Sequence, residues 1–494
     1  MQFLSRGEIM TIKAKILTIV IVVAILAVGV GVGVNYTLTD TEGYLGDHVD
    51  LTANARVTKT SETVTVKFDA EQTFNTVVLK ERDNNVEQFE MYYQDQEGNE
   101  VFFYRQDLIG PYRYCAFDSV TTDKLIVKIT PMAGKSVKIK DVEVFDIHGS
   151  YDDDFRVTAY VVAPYVQKIE SLHPEHFEVI NHVNLITCTY FDEYGNLYFN
   201  DFTVDGVLKD GQEIFETALA NVRAVAKPGT TIVCTILGQD LKGNRYPNEI
   251  HDPAFTTYKD NLLKNATAFC EKYDLDGLSF DYEYPTNPTE YKHLFDFCGA
   301  LQEAMPPQKV VTVALCSWAI YKIGLFDHSG LDNVDWVEVM NYDETYEEHG
   351  YHSTFAESAY RGIREMENLN ALTLNAPYSY TDISKINMGI PFYSRPIDTA
   401  LFWGDYNAAA HSLGKYGNIY DAKVDDYGNP LVDVDGNEVK RLYYNGWQMV
   451  YDKTAFAIDH GVGGLMVWHY TCDVPPEDDL SLWMAMKAAI DARK

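Results

Sequence analysis

Apolar and polar residues follow two different rhythms along the chain. Between residues 40 and 148 apolar side chains recur at every second position, as in "VTVKF" (64–68) and "LIVKI" (125–129). Polar turn sequences such as "RDNN" and "DQEGN" separate these short runs. Strands with this period of two bury only one face, as in antiparallel sheets. We therefore predict an antiparallel β-sandwich domain over residues 39–148.

After this segment the apolar residues form continuous runs of strand length. Eight such runs follow one another: "RVTAYVVA", "HVNLITCTY", "TTIVCTIL", "LDGLSFDY", "KVVTVALC", "WVEVMNY", "KINMGIPF" and "GGLMVWHY". Helix-patterned segments such as "YKDNLLKNATAFCEKY" lie between most of them. Strands buried on both faces that alternate with helices are typical of a parallel (β/α)8 TIM barrel, which we predict over residues 150–494. A doubly wound open sheet is the alternative, but no G-x-G-x-x-G follows the first strand.

Residues 396–450 are too many for an ordinary barrel loop. They contain the turn sequences "DDYGNP" and "DVDGNE", which predict a hairpin-bearing insertion on the barrel rim. "DVDGN" resembles the start of a calcium-binding loop, but the remaining ligand positions of such a loop are missing. A hairpin turn is therefore the favoured interpretation.

An apolar segment lies within residues 1–38. Ile16–Val34 are nineteen consecutive uncharged, mostly aliphatic residues, preceded by basic and followed by acidic positions. This length nearly spans a hydrocarbon core of about 30 Å, and the charge order places the remaining chain outside. We predict an N-terminal membrane anchor; a cleaved signal peptide is the alternative, although its apolar region usually has about 7–15 residues. Both interpretations predict an extracellular or cell-surface location.

Composition and charge narrow the range of partners. The 494 residues are 46% apolar and 23% charged, which is typical of a globular protein, and the formal net charge is −33. No basic run balances this acidity, so nucleic acid is excluded as a partner and a neutral substrate is favoured. Most of the seven cysteines lie inside apolar runs and are expected to be buried hydrophobes. No metal-site or phosphate-loop motif occurs, so we expect no metal or organic cofactor, and we expect a monomer.

Acidic residues interrupt the fourth barrel strand, "LDGLSFDYEYP". Side chains alternate along a strand, so Ser279, Asp281 and Glu283 share the inner face, and Glu283 lies at the carboxyl end, where barrel enzymes build their active sites. Two like charges this close do not ionise together easily, so one carboxyl keeps its proton near neutral pH. The alternative is a structural acid pair bonded to the barrel backbone or to an arginine.

Four segments together resemble a known family. "DGLSFDYE" resembles the D-G-x-D-x-D-x-E signature of glycoside hydrolase family 18, the chitinase family. "VEVMNYDE", "MGIPFYSR" and "GGLMVWHYTCD" are similar to its segments on the sixth, seventh and last strands. Within residues 39–148, the segments "TFNTVVLKERDNNVEQFEMYYQD", "IGPYRYCAFD" and "VKIKDVEVFD" resemble the discoidin-type, or coagulation-factor C-type, sandwich found beside glycosidases. That resemblance implies a carbohydrate-binding module, with a passive spacer as the alternative.

The resemblance also implies roles for individual residues. Glu283 matches the general acid/base, Asp281 the group that holds the 2-acetamido group of the substrate, and Tyr342 the hydroxyl that positions this acetamido group. The substrate's own acetamido oxygen is the nucleophile in this family. Asp276 is expected to support the strand. Further substrate-binding positions are implied at Ser279, Asp343, Trp468, Tyr393 and Arg395.

Two questions stay open at this point. Ser279 replaces the family's middle acid, which puts the rate and the pH profile in doubt. Trp403 and Trp447 are either outer stacking platforms or packing residues of the insertion. We predict a retaining hydrolase that cleaves β-1,4 linkages in N-acetylglucosamine-containing glycans, with chitin or its oligosaccharides favoured. The alternatives are an endo-β-N-acetylglucosaminidase acting on N-glycan chitobiose cores, a peptidoglycan-acting glucosaminidase, and a non-catalytic chitin-binding lectin, which the presence of Glu283 disfavours.

Overall fold

The computed structural model describes most of the chain: residues 45, 48–239, 245–316, 328–346, 349–361, 383–422 and 429–494. The chain divides into two compact units, Met1–Asp47 and His48–Lys494, and the second contains both predicted domains. The predicted anchor, Ile16–Val34, lies outside the described residues. Within the described part, none of the helices has the length and apolar character needed to cross a membrane.

Six antiparallel strands form the first sheet. They are β1 (Ala55–Lys59), β2 (Thr63–Glu81), β3 (Val86–Gln94), β4 (Glu100–Asp107), β5 (Arg113–Pro131) and β6 (Ile139–Phe145), in the order β1-β2-β5-β3-β4 with β6 beside β2. The pairing of β2 with β5 shifts register twice, first between Lys67 and Gln72. The first part of β2 pairs with β1 and the last part with β6.

The two parts of this sheet enclose one apolar core. Val66 from the first part of β2 and Val77 from the last part belong to the same buried cluster, together with Met91 of β3 and Val144 of β6. Register shifts of this kind bend a strand, so that one side of a long sheet can cover the other. The sheet is antiparallel and continuous, and its classification as a discoidin-type sandwich remains a proposal.

Eight parallel strands form a closed barrel, which confirms the TIM-barrel prediction. They are β7 (Arg156–Val162), β8 (His182–Ile186), β9 (Thr231–Leu237), β10 (Gly277–Asp281), β11 (Val310–Cys316), β12 (Trp336–Met340), β13 (Ile386–Pro391) and β14 (Gly464–Trp468). Each strand pairs with the next, and β14 pairs with β7 to close the circle. Every residue of β10 is buried, as expected for a strand covered on both faces.

Helices of the described part follow most of the barrel strands along the chain. They are α1 (Gly211–Val225), α2 (Asn248–Phe255), α3 (Lys259–Lys272), α4 (Pro288–Ala304), α5 (Ala410–Leu413), α6 (Trp447–Asp459) and α7 (Leu482–Asp491), with a π-helix at Phe355–Arg361. The short α5 belongs to the segment after β13 and contacts the strand Ile419–Asp421 there. The side chain of Asn287 caps α4 by accepting hydrogen bonds from two backbone N–H groups of its first turn. Phe280 points outward from β10 and contacts the ring of Phe297 on α4 at 5.1 Å.

Short hairpins and a small sheet lie at the carboxyl ends of the barrel strands. Two small hairpins pair Thr189–Phe191 with Leu197–Phe199 and Phe202–Val204 with Val207–Lys209. After β13, four short antiparallel strands form a sheet: Tyr393–Pro396, Gly404–Asp405, Ile419–Asp421 and Arg441–Tyr443. The last three lie within residues 396–450, the segment predicted as a rim insertion, and the first begins just before it. In "DVDGNE" the carboxylate of Asp433 accepts hydrogen bonds from the N–H groups of Asp435 and Asn437, and Val432 pairs with Glu438 across the turn.

A buried ionic contact joins the first sheet to the barrel. Asp452 of α6 is fully buried, and its carboxylate accepts hydrogen bonds from Arg113 (2.7 Å) and Tyr104 (2.5 Å). The backbone N–H of Ala116 and the side chain of Gln448 donate to its other oxygen, each at 3.0 Å. The sheet and the barrel therefore share a charged contact that is shielded from water.

Candidate active site

A cavity of about 560 Å³ opens at the carboxyl ends of the barrel strands. This is the end at which TIM-barrel enzymes place their reactive groups. The cavity brings together eight of the residues singled out in the sequence: Asp281, Glu283, Tyr342, Asp343, Tyr393, Arg395, Trp403 and Trp468.

The two acids of β10 form a coupled pair in this cavity. Asp281 is the last residue of the strand and is only 6% exposed, and Glu283 follows on the same side of the chain. Burial raises the pKa of Asp281 well above its usual value, and the nearby charge of Glu283 raises it further. Burial also raises the pKa of Glu283, against a hydrogen bond from Tyr284 that lowers it. The pair therefore retains a proton at a pH where isolated carboxyls have lost theirs.

The Ser279 hydroxyl lies beneath this pair without contacting it. Ser279 is fully buried, and within the described part of the chain neither its hydroxyl nor Asp281 Oδ1 has a hydrogen-bond partner. The hydroxyls of Thr235 and Thr312, which flank Ser279 on the neighbouring strands, are also buried without partners there. A buried polar group normally bonds to protein or to ordered water. Ser279, Thr235 and Thr312 therefore form a layer of buried hydroxyls inside the barrel, two residues before Asp281 along β10.

Asp343 is held by two residues of the rim. Its carboxylate accepts hydrogen bonds from Tyr393 OH (2.7 Å) and Arg395 Nε (2.8 Å), and Arg395 Nη2 forms a second contact. The backbone at Asp343 has φ +70°, and its N–H donates to the Ser353 hydroxyl at 2.8 Å. Arginine and carboxylate joined through two nitrogens form a geometrically specific pair. Asp343 therefore enters the cavity with a fixed orientation.

An aromatic wall completes the cavity. Tyr342 follows β12, and burial raises the pKa of its hydroxyl well above the usual value. Trp468 ends β14 and remains half-buried, with its ring 5.6 Å from that of Tyr160. Trp403 also lines the cavity, is 49% exposed, and carries the Arg395 guanidinium 3.6 Å above its ring. Partly exposed aromatic faces of this kind suit the apolar faces of sugar rings.

Two of the residues considered from the sequence lie elsewhere. Asp276 is at the amino end of β10, where its carboxylate accepts a hydrogen bond from Ile232 N–H at 2.8 Å, so its contact is structural. Trp447 begins α6 and stacks on Tyr451 at 5.4 Å. Neither residue is among those that line the cavity.

Sequence reasoning missed several residues of the site. Tyr160, Tyr190, Gln239, Tyr284 and Glu344 also line the cavity. Tyr160 is a single aromatic residue in an apolar strand, where the pattern does not distinguish a cavity wall from the core. Its inward position on β7 was the available signal, because alternate residues of a barrel strand point inward.

A further acid, Glu338 of β12, is buried inside the barrel. Its carboxylate accepts hydrogen bonds from Trp336 Nε1 (2.7 Å), Thr158 (3.2 Å) and Asn387 (3.1 Å). Burial raises its pKa to about 7, although these three donors act in the opposite direction. The charge of Glu338 acts on Tyr160, whose hydroxyl is also influenced by Asp281. Glu338 is therefore a further buried carboxyl with a raised pKa inside the barrel.

The whole barrel segment has recognisable relatives. Residues 150–473 match the family model of the glycosyl hydrolases of family 18. The chain belongs to this family. The hydrolase is 23% identical over 294 residues to "Probable chitinase 10" of Drosophila melanogaster, an alignment that spans 51% of this chain and 12% of that protein.

Solved structures share the hydrolase fold. A chitinase from Bacteroides thetaiotaomicron is 19% identical, with a TM-score of 0.50 over 68% of this chain and 96% of that one. The Group IV chitinase of Ostrinia furnacalis is 15% identical, with a TM-score of 0.50 over 68% of this chain and 100% of that one. At these identities the likeness shows the fold of the hydrolase, and its chemistry must be argued from its own residues.

Proposed function

We propose that this glycosyl hydrolase cleaves β-1,4 linkages in chitin or chito-oligosaccharides and retains the anomeric configuration. The observation that carries the proposal is the coupled, buried pair of Asp281 and Glu283 at the carboxyl end of β10, within a cavity that also contains Tyr342 and Trp468. The name of the Drosophila relative supports a chitin-type substrate. The absence of strong positive charge suits a neutral polysaccharide.

Glu283 and Asp281 have different roles in the proposed reaction. Glu283, with its raised pKa, donates a proton to the glycosidic oxygen while the acetamido oxygen of the same sugar attacks the anomeric carbon. The bond to the leaving sugar breaks and an oxazolinium ring forms. Asp281 stabilises the positive charge that develops on the acetamido nitrogen. Glu283 then removes a proton from water, which attacks the anomeric carbon from the original side and restores the acetamido group.

The surrounding groups hold the substrate for this reaction. We assign Tyr342 to the acetamido group, because its hydroxyl lies in the cavity beside Asp281 and Glu283. Trp468 forms the floor on which the sugar stacks, and Trp403 extends the aromatic surface toward the rim. Asp343, fixed by Tyr393 and Arg395, provides an oriented hydrogen-bond acceptor.

The serine at position 279 changes how Asp281 is supported. A carboxyl at position 279 would interact electrostatically with Asp281. The Ser279 hydroxyl forms no hydrogen bond with Asp281 in the structure. Ser279 is fully buried and is not among the residues that line the cavity, so we propose that it acts below the reacting groups. We propose that Asp281 depends on burial and on Glu283 for its raised pKa.

We also propose a role for the first sheet, a cellular location and an oligomeric state. The first sheet is proposed to be a discoidin-type carbohydrate-binding module, supported by its antiparallel strands and by the sequence resemblance. Export to the cell surface or the medium is supported by the apolar run Ile16–Val34 and its flanking charges. A monomer without nucleic-acid partners remains the expectation.

The direct test of substrate is mass spectrometry of products. The full-length protein is incubated with chitohexaose, with a glycopeptide that carries an N-glycan chitobiose core, and with a peptidoglycan fragment. We expect short N-acetylglucosamine oligomers from the hexamer, and none with the Glu283→Gln variant, which retains the shape of the side chain and loses the acid. Cleavage of the glycopeptide or the peptidoglycan fragment alone would replace chitin with that substrate. Hexamer binding without product in the wild type would favour a lectin.

A further inference from the structure

Three potential metal ligands lie together next to residues of the cavity wall, because Asp405 pairs with Tyr393 and His469 follows Trp468. They are Asp405 of the rim sheet, and His469 and Cys472, which follow β14. None of the three is among the cavity-lining residues. Their ligand atoms all lie within 4.8 Å of one another. The mechanism proposed above uses none of these groups.

The separations fit a small tetrahedral ion. Cys472 Sγ lies 3.4 Å from Asp405 Oδ1 and 3.4 Å from His469 Nε2. Zinc binds sulfur at about 2.3 Å and nitrogen or oxygen at about 2.0 Å, so two tetrahedral ligands lie about 3.5 Å apart. Both separations from Cys472 Sγ therefore match a tetrahedral zinc site. The third pair, Asp405 and His469, lies within 4.8 Å and needs to come to about 3.3 Å for all three atoms to reach one ion.

The local backbone holds these ligands in place. Tyr470–Cys472 is a single 3₁₀ turn, and residues three apart on such a turn point in the same direction, which brings His469 beside Cys472. The Thr471 hydroxyl lies 3.1 Å from His469 Nδ1, which leaves Nε2 for a metal. Asp405 pairs with Tyr393 in the rim sheet. Cys472 is fully buried, whereas Asp405 is exposed, so the cluster has a route to solvent.

We propose that Asp405, His469 and Cys472 form a zinc site with one open position for water. A thiol, an imidazole and a carboxylate together favour Zn²⁺ over Ca²⁺ or Mg²⁺, which prefer oxygen ligands. As the zinc–sulfur bond forms, the Cys472 thiol releases its proton to solvent. The ion joins the rim sheet to the turn that directly follows Trp468 and so braces one wall of the cavity. The proposal is independent of the substrate assigned above.

The test measures metal binding directly, without an activity assay. Full-length protein is stripped with a chelator, loaded with Zn²⁺, dialysed against metal-free buffer and analysed for zinc by mass spectrometry. A parallel sample is loaded with Co²⁺ and its absorption spectrum recorded. We expect one zinc ion per chain and a sulfur-to-cobalt charge-transfer band. Cys472→Ser and His469→Ala should each weaken zinc binding by about tenfold or more.

Matched controls separate this site from non-specific binding. Cys298→Ser removes another buried thiol, in α4, and His411→Ala removes an exposed histidine that lies beside Asp478. Both controls should keep the bound zinc. Wild-type protein that retains no zinc, or that retains it equally after Cys472→Ser, overturns the proposal. If Cys472→Ser does not fold, the exposed Asp405→Ala variant decides the question, and unchanged affinity in that variant counts against the site.

Discussion

Replacing Asp452 with asparagine should destabilise the protein strongly, because it leaves a buried arginine without its counter-charge. Asp452 and Arg113 have side chains that are 0% and 1% exposed, and they meet at 2.7 Å. Burial raises the pKa of Asp452 even though Arg113 acts to lower it. Desolvation thus offsets much of the attraction within the pair, and the intact ion pair adds little net stability. Removing only one partner of the pair should cost much more stability than the intact pair contributes.

The magnitude follows from what Arg113 retains after the substitution. Its other contacts are to neutral groups, Tyr104 OH at 3.2 Å, Met449 Sδ at 3.6 Å and the ring of Phe355 at 4.7 Å. The buried carboxyl of Asp107 acts on Arg113 through its charge alone and does not replace the hydrogen-bonded Asp452. Removal of one partner of a buried ion pair typically costs about 3–5 kcal/mol. Domains are commonly stable by about 5–15 kcal/mol, so a loss of this size should be easy to detect.

The assay is urea denaturation followed by circular dichroism and tryptophan fluorescence. Coincident transitions for the two signals would justify a single free energy of unfolding. Asp296→Asn is the matched control, because Asp296 forms an exposed contact with Lys292 at 2.6 Å that is worth about 1 kcal/mol or less. The double variant Arg113→Met/Asp452→Leu carries no buried charge and should recover part of the loss. A loss for Asp452→Asn as small as that of the control would refute the reasoning.

Two further predictions concern the carboxyls of the barrel. The pKa of Glu338 is raised to about 7 in the folded protein from 4.5, so the stabilising contribution of this group should be lost as pH rises through this window, by about 3 kcal/mol. Buried histidines such as His182 and His352, whose pKa is lowered to about 4, change stability in the opposite direction, so the test is the difference between the wild type and Glu338→Gln. Urea unfolding at pH 4.5 and 7.5 should show this difference shifting by about 3 kcal/mol in favour of Glu338→Gln at the higher pH; an unchanged difference would show that Glu338 is not the group that titrates. Asp281→Asn should lower kcat about 10²–10³-fold, the effect of losing one group that stabilises developing charge, while circular dichroism stays unchanged. Near-normal kcat would remove Asp281 from the mechanism.

Much of the fold was predictable because buried positions are apolar, and the order of apolar and polar residues therefore reflects which strand faces are covered. Continuous apolar runs identified the barrel strands, since parallel strands are covered on both faces. Strand alternation placed Asp281 and Glu283 on the inner face, where the structure has them. The bend in β2 was not predictable, because its apolar period is the same in one continuous sheet and in two separate ones.

Contacts between residues that are far apart along the chain could not be predicted from the sequence. Asp405 meets His469 and Cys472 only through the folding of the rim sheet against the end of β14, and no local spacing indicates this contact. Glu338 lies in the apolar run "WVEVM", where its partners come from β7 and β13. Ser279 was an implied substrate-binding position, and the structure has it fully buried and not among the residues that line the cavity.

The stereochemistry of the first product tests the central claim most directly. Proton NMR spectra recorded in the first minutes of chitohexaose hydrolysis, before the sugars mutarotate, distinguish the two anomers of the new reducing end. Attack by the acetamido oxygen followed by water inverts the anomeric carbon twice, so the account predicts that the β-anomer appears first. Initial release of the α-anomer would contradict it, because a single displacement by water would then replace the oxazoline and the roles assigned to Asp281 and Glu283.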